Sequence, residues 1–320
     1  YLAATDVGNA AAGVLLAADV GAALDALSPE SYGTVALMGA RNAHSLARSL
    51  LAAAPSGDAW TYQLGYDASK ATATNSPTNL NGEYDVNSSY VLATRGLGQN
   101  SKVSIMLSTD HGNVAASGFA SKMTGQGLGL GFGTDFGGAR LDLGFTSGVE
   151  KVSGVRSGQT FADANLRTSS LMARLSLAPI AGFTPFIGLS HSSGTMDSFA
   201  EVGTGANLNV TTFANNLNLA EIGAEYSYKL SDKLTLGLSA AYEHDLGTGV
   251  NSITSSFADA ATPTAFTVNS YGLGKDQFRG GLNLKVSLSE FSSAGFSYEM
   301  SSGSGVKSAS NLKLNYTCRF

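Results

Sequence analysis

The stretch that decides the fold is Leu312–Phe320, which reads LKLNYTCRF. Its apolar and aromatic positions are Leu312, Leu314, Tyr316, Cys318 and Phe320, and they alternate strictly with Lys, Asn, Thr and Arg. Successive side chains of a strand point to opposite faces, so a period of two predicts a β-strand with one apolar face. The sequence then ends on an aromatic ring.

The same period of two continues back along the chain to about Asp58. It predicts twelve strands, each with apolar residues at alternate positions. These positions are Trp60, Tyr62, Leu64 and Tyr66; Tyr90 and Leu92; Val103, Ile105 and Leu107; Leu128, Leu130 and Phe132; Leu141, Leu143 and Phe145; Leu171, Ala173, Leu175 and Leu177; the less regular stretch 183–189; Ile222, Ala224, Tyr226 and Tyr228; Leu234, Leu236, Leu238 and Tyr242; Phe278, Leu282, Leu284, Val286 and Leu288; Ala294, Phe296, Tyr298 and Met300; and the stretch 312–320.

Short and long links separate the predicted strands. The short ones are tight turns at 98–101, 136–138, 179–182, 231–233 and 289–291. The long ones are the polar stretches Thr72–Glu83, Ser153–Asp163, Gly194–Thr212 and Gly247–Tyr271. Bacterial outer-membrane barrels have short turns at one end, long loops at the other and an even number of strands. Closure also removes the strand edges that lipid could not satisfy. We therefore expect an all-β transmembrane barrel of twelve antiparallel strands.

The composition is typical of such a barrel. Only 13% of the 320 residues are charged, about half the quarter usual in soluble domains. The longest apolar stretches, 10–27 and 35–55, both contain charges, so neither offers the roughly 18 uncharged apolar residues of a spanning helix. A barrel instead places its lipid-facing residues at every second position.

Charge and cysteine content exclude other classes. The net charge is −5 and there is no basic patch, which argues against a nucleic-acid partner. Cys318 is the single cysteine, and no H-x-x-x-H pair occurs. The sequence therefore predicts neither an internal disulfide nor a metal site, and no cofactor.

Two segments of helical period precede the strands. The second runs from Tyr32 to Ala54, with Ser28 as a predicted N-cap followed by Pro29 and Glu30. An α-helix of this length is about 35 Å long, enough to cross a bilayer core. Arg41, Ser45 and Arg48 fall on one side of it because they are spaced i, i+4 and i+7.

The face opposite the apolar one is polar, and we expect it to line the lumen. Its charged members are Arg140, Asp142, Arg174, Glu221, Glu225, Glu243, Arg279, Lys285 and Glu299. A twelve-stranded lumen is too wide to be filled by the strands' own side chains as in an eight-stranded barrel. Either water or a plug must fill it.

The segment Gly125–Gly133 bears on this choice. Its glycines alternate with Gln126, Leu128, Leu130 and Phe132 and are not flanked by the strand and helix of a phosphate-binding loop. We interpret it as a strand whose inward positions are empty, leaving room for the predicted helix. Arg41 and Arg48 would then pair with Glu221, Glu225 and Glu243. The alternative is a helix end that stays solvated.

With these features the chain resembles the C-terminal translocator domain of type Va autotransporters. The segment Ala22–Gly33 (AALDALSPESYG) is similar to the linker that ends many passengers of this family. A helix follows, Trp60-Thr-Tyr opens the first strand, and Leu312–Phe320 resembles the terminal signal read by the β-barrel assembly machinery. Cys318 departs from the family pattern, where a larger apolar residue is more common.

The resemblance implies a twelve-stranded barrel with an α-helix threaded through its lumen. Residues 1–31 would end the passenger and linker, residues 32–57 would form the lumenal helix, and residues 58–320 the barrel. The implied function is an outer-membrane translocator of a Gram-negative bacterium that anchors and exports its own passenger. Implied partners are outer-membrane lipid, the assembly machinery, periplasmic chaperones and the passenger. A monomer is expected. Leu312, Leu314, Tyr316, Cys318 and Phe320 would form the assembly signal, and Phe320 would lie in the periplasmic aromatic belt.

Three alternatives remain open at this point. A diffusion porin without a passenger would have no use for the N-terminal helical segments. A barrel esterase would need a Ser–His pair, but no nucleophile-elbow motif or Ser/His/acid set is evident around His44, His111, His191 or His244. Some autotransporters cut their own linker with a lumenal carboxylate, for which Glu221, Glu225 or Glu243 could serve. We prefer ion pairing for these residues and predict no enzymatic activity.

Overall fold

Twelve antiparallel strands close into a barrel in the computed structural model of the chain, as the sequence predicts. The structure describes residues 27–53, 58–73, 82–248, 250–260, 262–271, 274–304 and 306–320. The barrel strands are β1 Trp60–Ala73, β2 Gly82–Leu97, β3 Ser101–Ala116, β4 Phe119–Phe136, β5 Ala139–Arg156, β6 Gln159–Leu177, β7 Phe183–Met196, β10 Phe213–Lys229, β11 Leu234–Asp245, β14 Asp276–Ser287, β15 Ser292–Gly303 and β16 Val306–Arg319. The barrel closes where β1 pairs with β16, with Thr61 opposite Arg319.

The five predicted tight turns all lie at the end of the barrel that carries Trp60 and Phe320. One predicted long loop, Ser153–Asp163, is wrong. Strand β5 continues to Arg156 and β6 begins at Gln159, so only Ser157 and Gly158 connect them. Both have positive φ, 51° and 92°, which suits a two-residue hairpin turn that follows the twist of its strands.

Two other predicted loops contain strands of their own. Strands β8 Phe199–Ala200 and β9 Leu208–Val210 follow β7, and β12 Val250–Phe257 and β13 Ala265–Tyr271 follow β11. They form a four-stranded sheet in the order β13-β12-β9-β8, which we call the loop sheet. It lies at the end opposite Phe320. The fourth predicted loop, Thr72–Glu83, falls largely outside the described residues.

Apolar side chains face outward along most strands, as predicted. Leu107, Leu171 and Leu314 are examples of a belt of large exposed hydrophobic residues. The second predicted strand is the exception. Tyr90 and Leu92 are 5% and 1% exposed and face the lumen, whereas Val91 between them is 47% exposed. Alternation cannot give the phase here, because Tyr90, Val91 and Leu92 make this part of the strand apolar on both faces.

The pattern inverts in the half of the barrel nearest the loop sheet. There an apolar core that includes Tyr84, Val114, Met123 and Leu166 fills most of the lumen, beside the buried pair Arg156–Glu201. The expectation of a hydrophilic lumen is therefore wrong for this half. The outward residues at the same level are polar, such as those at 83, 85 and 87 of β2. This half is built like a soluble protein, with its apolar groups inside and its polar groups in water.

A single described helix, α1 Ser31–Ala52, lies inside the barrel and contacts β2 to β7 and β10. All of its 22 residues are buried except Thr34, Arg41, Arg48 and Ala52. It begins three residues after the predicted cap. The Glu30 backbone N–H donates to the Ser28 hydroxyl (3.2 Å) within a turn that precedes the helix. No described helix is long and apolar enough to cross a membrane. Most of the first predicted helical segment lies outside the described residues.

Candidate functional site: the helix-filled lumen

One face of α1 carries charged residues toward the barrel wall. Arg48 donates two hydrogen bonds to the Glu299 carboxylate of β15, from Nη1 to Oε2 and from Nη2 to Oε1, both 2.9 Å long. Two parallel bonds of this kind fix the orientation as well as the distance of the two groups. The pair is mostly shielded from solvent. It attaches the second half of the helix to the wall.

Arg41, two turns earlier, reaches the same side of the lumen. Its Nη2 donates to Gln277 Oε1 (2.8 Å), and its Nη1 lies 3.9 Å from Glu243 Oε2. Glu243 also accepts a 2.9 Å bond from Arg279 Nε. Arg41 therefore joins a charge network that continues along the wall.

Arg279 is the centre of this network. Besides Glu243 it contacts Glu221, and its Nη1 lies 3.6 Å from Glu299 Oε2. Burying these charges together avoids the large cost of an unpaired ion in a poorly hydrated space. Arg279 thus connects the carboxylates that receive the two helix arginines.

Ser45 lies between the two arginines on the helix and has its own partners. Its hydroxyl donates to Asp67 Oδ2 of β1 (2.6 Å). Lys313 of β16 lies 3.2 Å from the same oxygen and also donates to the Ser45 carbonyl (3.3 Å) and to the Ser49 hydroxyl (3.0 Å). The strands that close the barrel therefore both hold the helix.

The opposite side of α1 has a smaller polar contact. Asn42 Nδ2 donates to Asp110 Oδ1 (3.0 Å), while the Ser88 hydroxyl contacts both Asn42 Oδ1 and Asp110 Oδ1. Thr146 donates to the Ala43 carbonyl (2.9 Å). The Asn42 side chain and the Ala43 carbonyl thus find their partners on β2, β3 and β5.

The C-terminal end of the helix is closed by a lysine of the wall. Lys102 Nζ donates to the carbonyls of Leu51 (2.7 Å) and Ala53 (2.5 Å) and lies 3.1 Å from Asp142 Oδ1. The last carbonyls of a helix have no partner within the helix, and a cation is favoured beside them. Lys102 supplies both the donors and the charge.

Empty side-chain positions make room for α1. A Cβ at Gly129 would lie 2.7 Å from Leu50 Cδ1, and one at Gly131 would lie 3.6 Å from Leu50 Cβ. On β7 a Cβ at Gly194 would overlap the Ala36 carbonyl. The alternating glycines of β4 include two that face the helix. Gly125, Gly127 and Gly133 face side chains of neighbouring strands instead.

The residues predicted to pair with the helix divide into two groups. Glu243 meets Arg41, as described. Glu221 contacts Arg279 and not a helix arginine, and Glu225 is half exposed and pairs with Arg174 (2.6 Å). The predicted assembly signal lies on β16 and just beyond it. Its alternate residues 312–320 follow the outer surface, ending at Phe320, which is 82% exposed.

Sequence reasoning missed most of the contacts that hold the helix. Alternation identifies Glu299 only as inward-facing, and the helix contacts of Asp67, Asp110, Lys102 and Lys313 become visible only in the structure. A usable signal did exist for Asp67, because it lies at an inward position of a strand whose outward positions are Tyr62, Leu64 and Tyr66. A charge at such a position needs a partner in the lumen.

The helix does not fill the lumen at the end that carries Phe320. A cavity of about 540 Å³ lies beneath its last turn, lined in part by Arg140, Arg174, Glu225, Lys285 and Lys313. The Arg174 guanidinium also stacks over the Phe186 ring at 3.7 Å. We call this space the vestibule. Beside the helix the free space is much smaller, about 80 Å³.

The histidines do not assemble a catalytic or metal site among the described residues. His191 Nδ1 lies 2.7 Å from Asn218 Oδ1, and His244 Nδ1 lies 2.8 Å from Asp276 Oδ1, with no serine hydroxyl bound to either ring. His44 is buried in the lumen. No group of three or more metal-ligating side chains occurs in the described part of the chain.

A twelve-stranded barrel with an apolar outer belt and a helix buried in its lumen has the architecture of an outer-membrane translocator domain. The chain belongs to the autotransporter β-domain family, whose family model matches residues 52–299. It is thus an outer-membrane protein of a Gram-negative bacterium, and its function is to export a linked passenger.

Solved structures agree with this fold. The translocator domain of the autotransporter NalP from Neisseria meningitidis matches with a TM-score of 0.69 and 17% identity, over 88% of this chain and 95% of that one. The β-domain of the Bordetella autotransporter BrkA matches with a TM-score of 0.56 and 11% identity, over 82% of this chain and 100% of that one. The transport unit of the autotransporter AIDA-I from Escherichia coli matches with a TM-score of 0.56 and 12% identity, over 91% of this chain and 98% of that one. Among curated protein sequences none matches this chain.

Proposed function

We propose that α1, which follows the passenger and linker in the chain, enters the barrel behind them and stays in the lumen after export as plug and anchor. The observation that carries this proposal is the match between one helix face and the wall. Arg41, Ser45 and Arg48 each reach a polar partner on a barrel strand. A water-filled pore would not require such a match.

The energetics support retention of the helix. Its apolar residues Leu46, Leu50 and Leu51 pack against the wall residues Leu92 and Met106. Fully burying a leucine side chain contributes about 1.5–3 kcal/mol. Removing the helix would expose these residues and leave the carboxylates of Glu299 and Asp67 without the partners that α1 provides. Hydration would compensate only part of this loss.

The proposal is tested by conductance in planar lipid bilayers. We compare the full chain with a variant that lacks residues 1–54 and with a control that lacks only residues 1–26, which keeps α1. The full chain and the control should conduct weakly, because α1 occupies the lumen. The variant without α1 should open to a wide pore. Equal conductance of all three would reject the plug and favour a diffusion porin.

We further propose the division of the chain into residues 1–31 as the end of the passenger and linker, 32–57 as the lumenal helix and 58–320 as the barrel. Limited proteolysis of intact cells tests it. The chain should be cut from outside before Pro29, because Pro29, Glu30 and Ser31 are buried, while the barrel and α1 should remain together as one protected fragment. Cleavage within α1 would contradict the assignment.

Insertion of the barrel is proposed to depend on the β-barrel assembly machinery and on periplasmic chaperones. Support comes from the terminal strand, whose alternate residues Leu314 and Tyr316 are exposed on the outer surface. Strand β16 forms the seam with β1, so it is the edge available for strand addition before closure. A complete seam leaves no open edge, which is consistent with a monomer. Depletion of the machinery should leave the chain unfolded in the periplasm.

We propose no catalytic role for the lumenal carboxylates. Glu221, Glu225 and Glu243 each contact an arginine, and this pairing accounts for their inward position. The mass of the chain isolated from outer membranes tests the point. Linkage of α1 to upstream residues should be unchanged when each glutamate is replaced by glutamine. Loss of a cleavage product in one of these variants would reveal self-cleavage.

A further inference from the structure

The N-terminal end of α1 carries a single aromatic ring that enters a closed pocket. Tyr32 is fully buried, and its ring meets those of Phe119, Phe161 and Phe199 edge-on, with centroid distances of 5.2, 5.2 and 4.9 Å. Phe119 and Phe161 belong to the barrel wall, whereas Phe199 belongs to β8 of the loop sheet. Edge-to-face pairs of this kind stabilise beyond their buried area. The ring of Tyr32 therefore joins helix, wall and loop sheet.

The hydroxyl of Tyr32 completes a second set of contacts. It donates to Glu201 Oε1, just after β8. The same carboxylate accepts bonds from Arg156 Nε (2.7 Å) and Nη2 (2.6 Å) and from the Leu208 backbone N–H (2.7 Å). Arg156 also donates to the Ala206 carbonyl (2.8 Å). The Glu201 carboxylate thus receives four donors, about as many as an ionised carboxylate can accept.

We call the site that receives Tyr32 the socket; it consists of Phe119, Phe161, Phe199, Arg156 and Glu201. All of these residues belong to the barrel, to the loop sheet or to the segment that directly follows β8. Glu201 and Arg156 are both almost completely buried. If Tyr32 were missing, one acceptor site of a buried carboxylate would lose its donor, and three phenyl rings would face an empty space. A buried polar group without its partner is costly, and so is an unfilled apolar cavity. The socket is complete only when the helix has arrived.

The sequence allows only one residue to fill the socket. Tyr32 is the only Phe, Trp or Tyr between Tyr1 and Trp60. The nearest Phe, Trp or Tyr residues, Tyr1 and Trp60, are each more than 25 residues away in the sequence. No other large ring is therefore close enough in the chain to enter the socket in place of Tyr32. A ring that fits one pocket and occurs once defines one axial position of the helix.

We propose that Tyr32 is the positioning residue that ends export: its ring sets the final register of the helix and locks the loop sheet over the lumen. The inference rests on the proposed function, in which α1 follows the passenger into the barrel and stays in the lumen. Gly33 supports it, because a Cβ there would overlap the side chain of Ser270 on β13, so the helix end also lies directly against the loop sheet.

Register is measured with a disulfide reporter in the full chain on intact cells. Leu50→Cys is combined with Gly131→Cys in a Cys318→Ser background. A Cβ at residue 131 would lie 3.6 Å from Leu50 Cβ, within the range of about 3.5–4.5 Å found in disulfides. A shift by one helical turn moves residue 50 by about 5.4 Å and prevents the bond. The reporter should cross-link almost completely when Tyr32 is present.

Tyr32→Ala should lower the ratio of native to shifted registers about tenfold, which corresponds to about 1.4 kcal/mol. Closure of the loop sheet is measured on the same cells as protease cleavage within residues 197–212. Tyr32→Phe keeps the ring and loses the hydroxyl, so its cross-link should equal that of the parent while cleavage becomes faster. If Tyr32→Ala does not assemble, Tyr32→Phe carries the test. If protease cleaves the Tyr32→Phe variant at the parent rate, the proposal that Tyr32 holds the loop sheet closed is wrong.

Tyr84→Phe is the matched control. Tyr84 is a buried tyrosine of the same apolar cluster and is not bonded to Glu201. Both the cross-linking and the cleavage rate should stay at the parent level.

The amount of passenger exposed on the cell surface is measured in parallel. Absence of passenger from the parent surface would refute the proposed function. If the Tyr32→Ala variant displays the passenger normally and keeps the cross-linking and the cleavage rate of the parent, the role proposed for Tyr32 is refuted, while the proposed function stands.

Discussion

Arg48 of the lumenal helix and Glu299 of β15 are joined by two parallel hydrogen bonds of 2.9 Å although 251 residues separate them in the chain. The pair is the most direct ionic link between the helix and the barrel wall. Its geometry is bidentate, which a lysine could not reproduce. Arg279 lies behind it, with Nη1 3.6 Å from Glu299 Oε2, so the carboxylate keeps a second cation nearby.

A double-mutant cycle with Arg48→Met and Glu299→Gln should give a coupling free energy of about 1–3 kcal/mol, because the partners are in direct contact and mostly shielded from water. The free energy of unfolding of the helix-containing barrel in detergent is the measurement. The control cycle uses Arg167 and Asp197 on the outer surface, where Arg167 is 65% exposed. Exposed pairs couple by about 0–1 kcal/mol. Equal coupling in both cycles would show that the lumen does not strengthen the pair.

Lys102→Met should destabilise the helix end by about 2 kcal/mol or more, since hydrogen bonds that involve a charged group contribute about 1.5–3 kcal/mol. The variant loses the donors to the Leu51 and Ala53 carbonyls and leaves Asp142 without its lysine. Amide exchange at the last turn of α1 reports the loss directly. Lys285→Met is the control, because Lys285 lines the vestibule and remains exposed. A similar effect of both substitutions would point to net charge and not to the helix end.

Gly129→Val should destabilise the plugged barrel by about 1–3 kcal/mol, the usual cost of overpacking a filled core. Its Cβ would meet Leu50 Cδ1 at 2.7 Å. Leu50→Ala removes the obstacle, so the double variant should cost less than the sum of the two single ones. Gly280→Val is the control, since a Cβ there meets nothing within 4 Å. Strict additivity of Gly129→Val and Leu50→Ala would contradict the contact.

The fold could be predicted because a lipid-facing strand imposes a local rule. Every second residue must be apolar, and neighbours in the chain are enough to see it. The rule failed at Tyr90 and Leu92, where the lumen is apolar too and both faces look alike. It also failed near the loop sheet, where water replaces lipid outside. Alternation shows that two faces differ, and the surroundings decide which face is inside.

The lumenal contacts could not be predicted in the same way. The partner of Arg48 depends on the height of the helix in the barrel and on the register of β15, and no short stretch of sequence encodes either. The closest charged atoms of Arg41 and Glu243 lie 3.9 Å apart, while Gln277 forms the shorter contact with Arg41. Alternation identifies the charged residues that face inward, but it cannot rank their partners.

Leu107→Arg should lower the free energy of unfolding in lipid vesicles by about 2–4 kcal/mol if residue 107 lies near the middle of the bilayer. Leu107 belongs to the exposed apolar belt of β3. Ala115→Arg is the matched control, because it lies on the same face of the same strand near the loop sheet, where the outer surface is polar. The Ala115→Arg substitution should change the free energy of unfolding only slightly. A similar loss for both would mean that the bilayer extends to the loop sheet.

Phe320→Ala separates a role in assembly from a role in stability. The Phe320 ring is exposed and lies 5.8 Å from that of Tyr62. Its removal should change the free energy of unfolding by no more than about 0.5 kcal/mol, as for most surface positions. If the terminal ring is read during insertion, the amount of folded barrel in the outer membrane should nevertheless fall several-fold. Phe291→Ala is the control, since Phe291 is a 61% exposed aromatic in a turn at the same end of the barrel. An equal fall for both variants would assign the effect to exposed aromatic rings at this end of the barrel and not to Phe320.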